Sequence, residues 1–576
     1  MSTESLVPER KPRFAAWLVE PMLANKSTYM KVGLAALLIN LFGLVTSLYS
    51  MTVYDRVVPN NATTSLVALT IGLLIVLVFD FILRTLRAYF IDIAGANVDR
   101  EVGQRTFQRL LSIRLDARRG STGQLTGLMR ELESLRDFLA SATMTAIIDV
   151  PFIFITLLVI GAIGGWLVMV PIVMIPIVVG AGLLTYPALD RLAGSVMNHG
   201  LNKSSVLVEA IGGLETVKVI NAAPLLQKRW LEATDSHADS SLRQRLVATL
   251  GVNVAATAQS LSYAGIIVVG VFLIADRHLT TGGLIACSLL GGRAVQPLGS
   301  IAQLLSRLTG ARTAYQQVNA FMSQPSEISE SDQLKPNKLQ GLIEFRNVTF
   351  RYPGAKQDAL KDINLVIKPG ERVGILGRIG SGKSTLARMA LGLYQPTDGL
   401  VMIDGTDLRQ MDLVSVRRHV GAALQESVLL TGSIRENIIL GRDGIDDEEM
   451  LRVARLTGVH DFVGQIANGY DLKLADRGEG LSGGQRQSIA LSRALVGRPS
   501  VIVFDEPTSG MDMQSEEILI ARLAEELADR TVIVVTHRPS LLKLVNRVLV
   551  IQDGRIAVDG PRDDVLRRLT QPQRAA

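Results

Sequence analysis

Three short segments in the second half of the chain carry residues whose types and spacing suit phosphate chemistry. The first is Val373-Gly-Ile-Leu-Gly377-Arg378-Ile379-Gly380-Ser381-Gly382-Lys383-Ser384-Thr385, an apolar strand running into a glycine-rich loop, with a helix expected from Leu386 onward. That strand–loop–helix context is what a phosphate loop requires. Its glycines let backbone N–H groups curl around phosphate oxygens, and the helix start adds a favourable dipole. Lys383 would neutralise the β- and γ-phosphates of ATP, and Ser384 would ligate Mg²⁺. Gly377, Arg378, Ile379, Gly380, Ser381, Gly382 and Thr385 complete the expected cradle.

The second segment, Val501-Ile-Val-Phe-Asp505-Glu506, is a buried-strand pattern ending in two acids. Asp505 could reach the Mg²⁺ shell, and Glu506 is placed to polarise an attacking water. The third, Leu481-Ser482-Gly483-Gly484-Gln485, opens another helix with a serine and two glycines. Ser482, Gly484 and Gln485 would present a second set of phosphate-facing donors. A domain with two phosphate-binding helix starts needs two copies to use both, so the sites are expected to complete across a homodimer.

The elements that must position these residues divide the chain in two. At 576 residues it is too long for one core. Apolar runs are confined to roughly the first 300 residues, whereas the part beyond Pro325 has ordinary soluble composition and strand-like runs at Ile343–Tyr352 and Ile363–Ile367. The expected organisation is a cytoplasmic N-terminal segment (1–30), a transmembrane domain (31–323), a linker containing Pro325 and Pro336 (324–340) and a nucleotide-binding domain (341–576). The fold class is therefore a membrane all-α six-helix domain followed by an α/β phosphate-loop ATPase domain.

A membrane span needs about 20 mostly apolar residues. Six candidates occur: Val32–Val53, Ser65–Arg87, a hairpin block from Thr143 to Leu189 split at Gly161–Gly165, Ala248–Ala275, and Thr280–Leu305. Basic residues crowd the connections between spans two and three (Arg100 to Arg136) and between spans four and five (Arg191 to Arg245), while the opposite connections hold few. Both long loops, the N-terminus and the ATPase domain should thus face the cytoplasm. Those loops have helical periodicity, and about 25 residues out and back would reach roughly 35–40 Å at 1.5 Å per residue. Glu131–Phe138 and Glu209–Lys218 are the expected tips.

Within the spans, Asp80 and Arg84 can pair at i,i+4. Asn253, Gln259, Ser260, Ser262, Arg293 and Gln296 either line a polar pathway or bond between helices. The net charge of +6 comes from loop residues, which favours membrane topology over nucleic-acid binding. The single Cys287 excludes an internal disulfide and a cysteine metal cluster.

The second half resembles the ATPase domain of ABC transporters over about Gly341–Leu569, and the whole chain resembles an exporter-type half-transporter. That resemblance implies that Tyr352 stacks on adenine and that Gln425 senses Mg²⁺. It implies that Asp512, in Ser509-Gly-Met-Asp512, links the two sites across the dimer, and that His537, in Val535-Thr-His537, contacts the γ-phosphate. The chain departs from the family where exporters usually carry a glutamate, at Asp476, and Glu479 is a second candidate for that contact.

The membrane half is similar to the permease–ATPase of bacterial type I protein secretion systems. The likeness rests on Val53-Tyr-Asp-Arg-Val-Val-Pro-Asn60, Phe79-Asp-Phe-Ile-Leu-Arg-Thr-Leu-Arg87 and Leu132-Glu-Ser-Leu-Arg-Asp-Phe138. It implies an inner-membrane location, an unfolded secreted polypeptide as substrate, and a periplasmic membrane-fusion protein and outer-membrane channel as partners. Only about 30 residues precede the first span, so the expected subgroup lacks an N-terminal peptidase-like domain. The alternative is an exporter of lipid or amphipathic small molecules.

Overall fold

Apolar runs free of turn residues give long helices, and in the computed structural model the sequence-predicted spans fall in them wherever they are described; residues 143–148, the start of the third span, lie outside the described residues. The structure describes residues 15–117, 121–140, 149–328, 333–426 and 428–570. They form two units: Met1–Leu111 with Arg119–Gln324, and Ser112–Arg118 with Pro325–Ala576.

The first unit is helical: α1 (Ala16–Ala24), α2 (Lys26–Thr52), α3 (Thr63–Ser112), α4 (Thr122–Ala140), α5 (Phe152–Gly164), α6 (Met169–Gly212), α7 (Leu214–Val219), α8 (Ala223–Ala275) and α9 (Thr281–Met322). Among the described residues, four helical segments are long and apolar enough to cross a membrane: Lys26–Asn60, Thr63–Ser112, Phe152–Gly212 and Ala223–Ala275. Phe152–Gly212 folds back on itself at Gly165, whose φ of +53° suits glycine. A Cβ on Gly164 would lie 2.9 Å from the Cys287 sulfur, so the hairpin turn and α9 touch through the smallest available side chains. Cys287 is buried with Ile160, Leu167, Ile266 and Leu290, a packing role. The sixth apolar run forms the start of α9.

α3 turns Val67, Ile71, Leu74, Val78 and Phe81 outward, as a lipid-facing helix should. Asp80 and Arg84 pair at 2.7 Å as their spacing predicts. A second ion pair, Arg87 with Asp149 at 3.0 Å, is joined by the Asn40 amide at 3.2 Å and ties α3 and α2 to the segment before α5. The Arg293 guanidinium lies against α2 at Gly43, where a Cβ would come within 2.7 Å of it.

One expected tip is corrected. Glu131–Phe138 lies inside α4, whereas α3 ends at Ser112 and α4 starts at Thr122. Ser121 and Gln124 form the reciprocal pair that starts a helix: the Gln124 N–H donates to the Ser121 hydroxyl at 3.2 Å, and the Ser121 N–H to the Gln124 side chain at 3.1 Å. Helical periodicity alone could not reveal this, because it continues on both sides of the turn. The second tip is where expected, with α7 between α6 and α8.

The Val53–Asn60 phrase has a structural cause. Val53–Val57 widens into a π-helical turn, and Asp55 then caps the start of α9. Its carboxylate accepts from the Thr280 hydroxyl and the Gly282 N–H, each at 2.7 Å. Asp55→Ala should lower stability by about 1–2 kcal/mol, as loss of a helix cap does; Asp55→Asn should recover most of it, both read by thermal unfolding in detergent.

The second unit is α/β. A six-stranded sheet has the order β12-β11-β3-β10-β9-β6, and a four-stranded antiparallel sheet the order β2-β1-β4-β5. The strands are β1 (Ile343–Phe350), β2 (Leu360–Ile367), β3 (Arg372–Gly377), β4 (Asp398–Ile403), β5 (Thr406–Asp407), β6 (Val420–Ala423), β7 (Gly432–Ser433), β8 (Lys473–Leu474), β9 (Val501–Asp505), β10 (Thr531–Val535), β11 (Arg547–Gln552) and β12 (Arg555–Pro561). β9 and β10 are buried along their whole length, as parallel strands covered on both faces must be. The helices of this unit include α10 (Lys383–Ala390), after β3, α11 (Asp447–Leu456), α12 (Gly483–Leu495), before β9, and α13 (Met513–Glu526), between β9 and β10.

The segment after α3 folds with this second unit. Ile113 bridges Ser326, the Glu327 N–H donates to the Ser112 carbonyl at 2.7 Å, and the Gln395 N–H donates to Asp116 at 3.3 Å.

Candidate nucleotide site

Four adjacent parallel strands, β3, β10, β9 and β6, deliver their C-terminal ends to one edge of the sheet. β3 feeds Gly377–Lys383, β9 ends at Asp505 before Glu506, β10 leads to Thr536 and His537, and β6 precedes Gln425. Ligands bind at such edges because loops there are free to vary while the strands hold them in register. The register aligns Val535 with Asp505 and Ala423 with Phe504, so residues far apart in sequence leave the sheet side by side.

The phosphate loop is shaped by its glycines. A Cβ on Gly377 (φ +154°) would meet the Ile551 carbonyl at 2.3 Å, and one on Gly382 (φ +104°) the Ala359 carbonyl at 2.7 Å. Lys383 donates to the Gly377 and Arg378 carbonyls at 2.9 Å, folded over the loop. Arg378, Ile379 and Gly380 are exposed, Ile379 fully, while Ser381 and Thr385 are buried. Ser384 opens α10 beside Lys383.

Tyr352 is half-buried. Its hydroxyl lies 2.8 Å from the Thr385 hydroxyl, and its ring stands edge-on to Phe350 and Tyr394. Tyr394 was not singled out in the sequence, although an aromatic just before Gln395-Pro396 was a usable signal. Tyr352→Phe should change ATP affinity little, since stacking area survives, whereas Tyr352→Ala should weaken it by about 1–3 kcal/mol; equilibrium titration with ATP separates the two.

Asp505 and Glu506 sit differently. Both Asp505 carboxylate oxygens are buried without a hydrogen-bond partner of normal geometry. Burial raises the carboxyl pKa, against the opposing pull of the nearby Ser384 hydroxyl and the Arg388 and Lys383 charges. A buried carboxylate lacking donors is what a cation site looks like before the cation is counted. The Ser384 hydroxyl stands close to Asp505 at this edge of the sheet, whereas Gln425, just after β6, is exposed. Glu506 has a left-handed backbone (φ +52°) and its carboxylate bonds His537 Nδ1 at 2.7 Å.

The Leu481–Gln485 segment opens α12. Ser482 is its N-cap, and Gln485 forms a reciprocal capping pair with it, so the Gln485 side chain is engaged at the helix start. Ser482, Gly484, Gly510 and Asp512 all border one cleft of about 440 Å³. Asp512 caps α13, and hydrogen bonds from the Ser515 N–H (2.9 Å) and hydroxyl (2.7 Å) hold its carboxyl below the usual range. Asp476 and Glu479 are exposed beside a short 3-10 turn.

Residues 360–509 match the family described as ABC transporter, and residues 29–297 match the ABC transporter transmembrane region. The Toxin RTX-I translocation ATP-binding protein of Actinobacillus pleuropneumoniae is 32% identical over 96% of this chain and 78% of its own length. The chain belongs to the ABC transporter family. Its architecture is that of an ABC exporter, a multi-pass membrane protein that couples ATP hydrolysis to transport. The Cyclolysin secretion/processing ATP-binding protein CyaB of Bordetella pertussis is 33% identical over 96% of the exporter and 77% of its own length. A bacterial Atm1-family ABC exporter solved with ATP bound shares the fold, with a TM-score of 0.85 over 94% of this chain and 96% of that one, at 24% identity.

Proposed function

We propose that this exporter is the membrane ATPase of a type I protein secretion system, moving unfolded polypeptide out of the cytoplasm. The observation that carries this reading is similarity along nearly the whole chain to proteins named for toxin translocation and cyclolysin secretion. The polypeptide would leave through a periplasmic membrane-fusion protein and an outer-membrane channel. The protein would sit in the inner membrane with its basic loops and ATPase unit in the cytoplasm, as the charge distribution favours.

Two copies would form the working transporter. Lys383, Ser384, Asp505 and Glu506 of one chain would face Ser482 and Gly484 of the other, with Asp512 between the sites. Mg²⁺ would be held by Ser384, Asp505 and Gln425 and would neutralise charge on the β- and γ-phosphates. Tyr352 would stack on adenine, Glu506 would orient and deprotonate the attacking water, and His537 would hold the Glu506 carboxylate while reaching the γ-phosphate.

The test is ATPase activity of the purified protein in lipid nanodiscs, with an unfolded secreted polypeptide added in one arm and lipids or amphipathic drugs in another. Stimulation by the polypeptide is expected. Stimulation only by lipid or drug would replace this reading with that of a small-molecule exporter.

A further inference from the structure

Gln487 lies on α12 two residues beyond the Leu481–Gln485 segment and is buried. Its side chain makes three hydrogen bonds, all to the loop after β9. The amide nitrogen donates to the Glu506 carbonyl at 3.0 Å and to the Ser509 hydroxyl at 3.2 Å; the amide oxygen accepts from the Gly510 N–H at 2.7 Å. The helix start and this loop also approach backbone to backbone. A Cβ on Gly484 would lie 3.1 Å from the Gly510 carbonyl, and one on Gly510 would lie 3.1 Å from the Gly483 carbonyl carbon. Glu506 is held in a left-handed conformation that a non-glycine residue adopts only under constraint. The other ties on its backbone are its own N–H to Val535 at 2.9 Å and the Ser509 N–H to its carbonyl at 3.3 Å.

We propose that Gln487 is a positioning residue that couples the start of α12 to Glu506. It fixes the peptide that aims the Glu506 carboxylate, so a shift of the Ser482–Gly484 helix start is passed to the hydrolytic group of the same chain. This rests on the reading of Glu506 as the water-activating residue. Because Ser482 and Gly484 would face the nucleotide of the opposite site in the dimer, the tie lets each chain's hydrolytic carboxylate register whether that opposite site is filled. A buried amide side chain is costly unless its groups are matched, and here donor and acceptor are both used.

The test uses full-length protein in nanodiscs, with kcat from steady-state ATPase assays and ATP affinity from equilibrium titration. Gln487→Met keeps the volume and removes both bonding groups. Gln487→Glu keeps the shape and the acceptor for Gly510 but places a carboxylate against the Glu506 carbonyl. Both are expected to lower kcat by about tenfold or more while the Kd for ATP stays within about threefold. Wild-type kcat in Gln487→Glu, or kcat and Kd worsening together, would overturn the proposal, as would failure of both variants to fold, which marks a purely structural residue. Glu506→Gln is run alongside: if it turns over normally, the assignment of Glu506 fails, whereas an inactive Glu506→Gln beside a normal Gln487→Glu sinks the Gln487 inference alone.

Discussion

Glu506→Gln is expected to bind ATP as the parent does and to lose turnover by about 10²–10⁴-fold, the range over which a positioned general base acts. The replacement is isosteric. Its backbone ties to Val535, Ser509 and Gln487 do not involve the carboxylate, so the loop keeps its form. The amide can still bond His537, which lies 2.7 Å from the native carboxylate, but it cannot take a proton from water. The phosphate loop is untouched, so ATP should accumulate unhydrolysed in a closed dimer. Rapid-quench ATPase assays and retention of labelled nucleotide on a sizing column measure the two halves of this prediction. Hydrolysis near the parental rate would remove Glu506 from the mechanism.

Asp505→Asn should act in two directions at once. ATPase activity and the Mg²⁺ dependence of nucleotide binding should collapse, because a buried carboxylate beside the phosphate loop is gone. The nucleotide-free protein should nevertheless become harder to unfold. Burial raises the Asp505 pKa, and a group whose pKa is higher folded than unfolded contributes stability that is fully present below its unfolded value. That stability is lost as pH rises through the folded value. Ionising Asp505 as the pH rises therefore works against the fold, and asparagine relieves that cost. The gain in unfolding temperature should be largest at neutral pH and shrink as the pH falls through the carboxyl range. A variant less stable than the parent at every pH would contradict the picture of an unsatisfied buried charge.

The legible parts of this protein are those whose cause is local. The phosphate loop was readable because Gly377 and Gly382 occupy backbone conformations that side chains resist, so the loop must keep glycine where it bends. Asp505 and Glu506 were readable because a run of four apolar residues ending in acids marks a strand end. The turn at Gly164-Gly165 was readable for the same reason as the loop. The first expected tip was misplaced because amphipathic periodicity resumes in α4 as it ran in α3, and the signal that marks the start of α4, the Ser121–Gln124 capping pair, is short. The Asp55 cap on α9 joins residues more than 200 positions apart, and nothing in the phrase Val53–Asn60 says what its acid will meet.

The sequence by itself determined the helical and α/β halves and the phosphate chemistry, because glycine geometry, strand hydrophobicity and helix starts depend on neighbours in the chain. Only the tertiary structure decided how the site is wired. Sheet order sets β10 between β3 and β9 and so brings His537 to Glu506, and packing of α12 on the loop after β9 gives Gln487 its three partners. Those contacts follow from which strands pair and which helix faces meet. Pairing of that kind is a property of the whole folded chain, invisible to spacing along it.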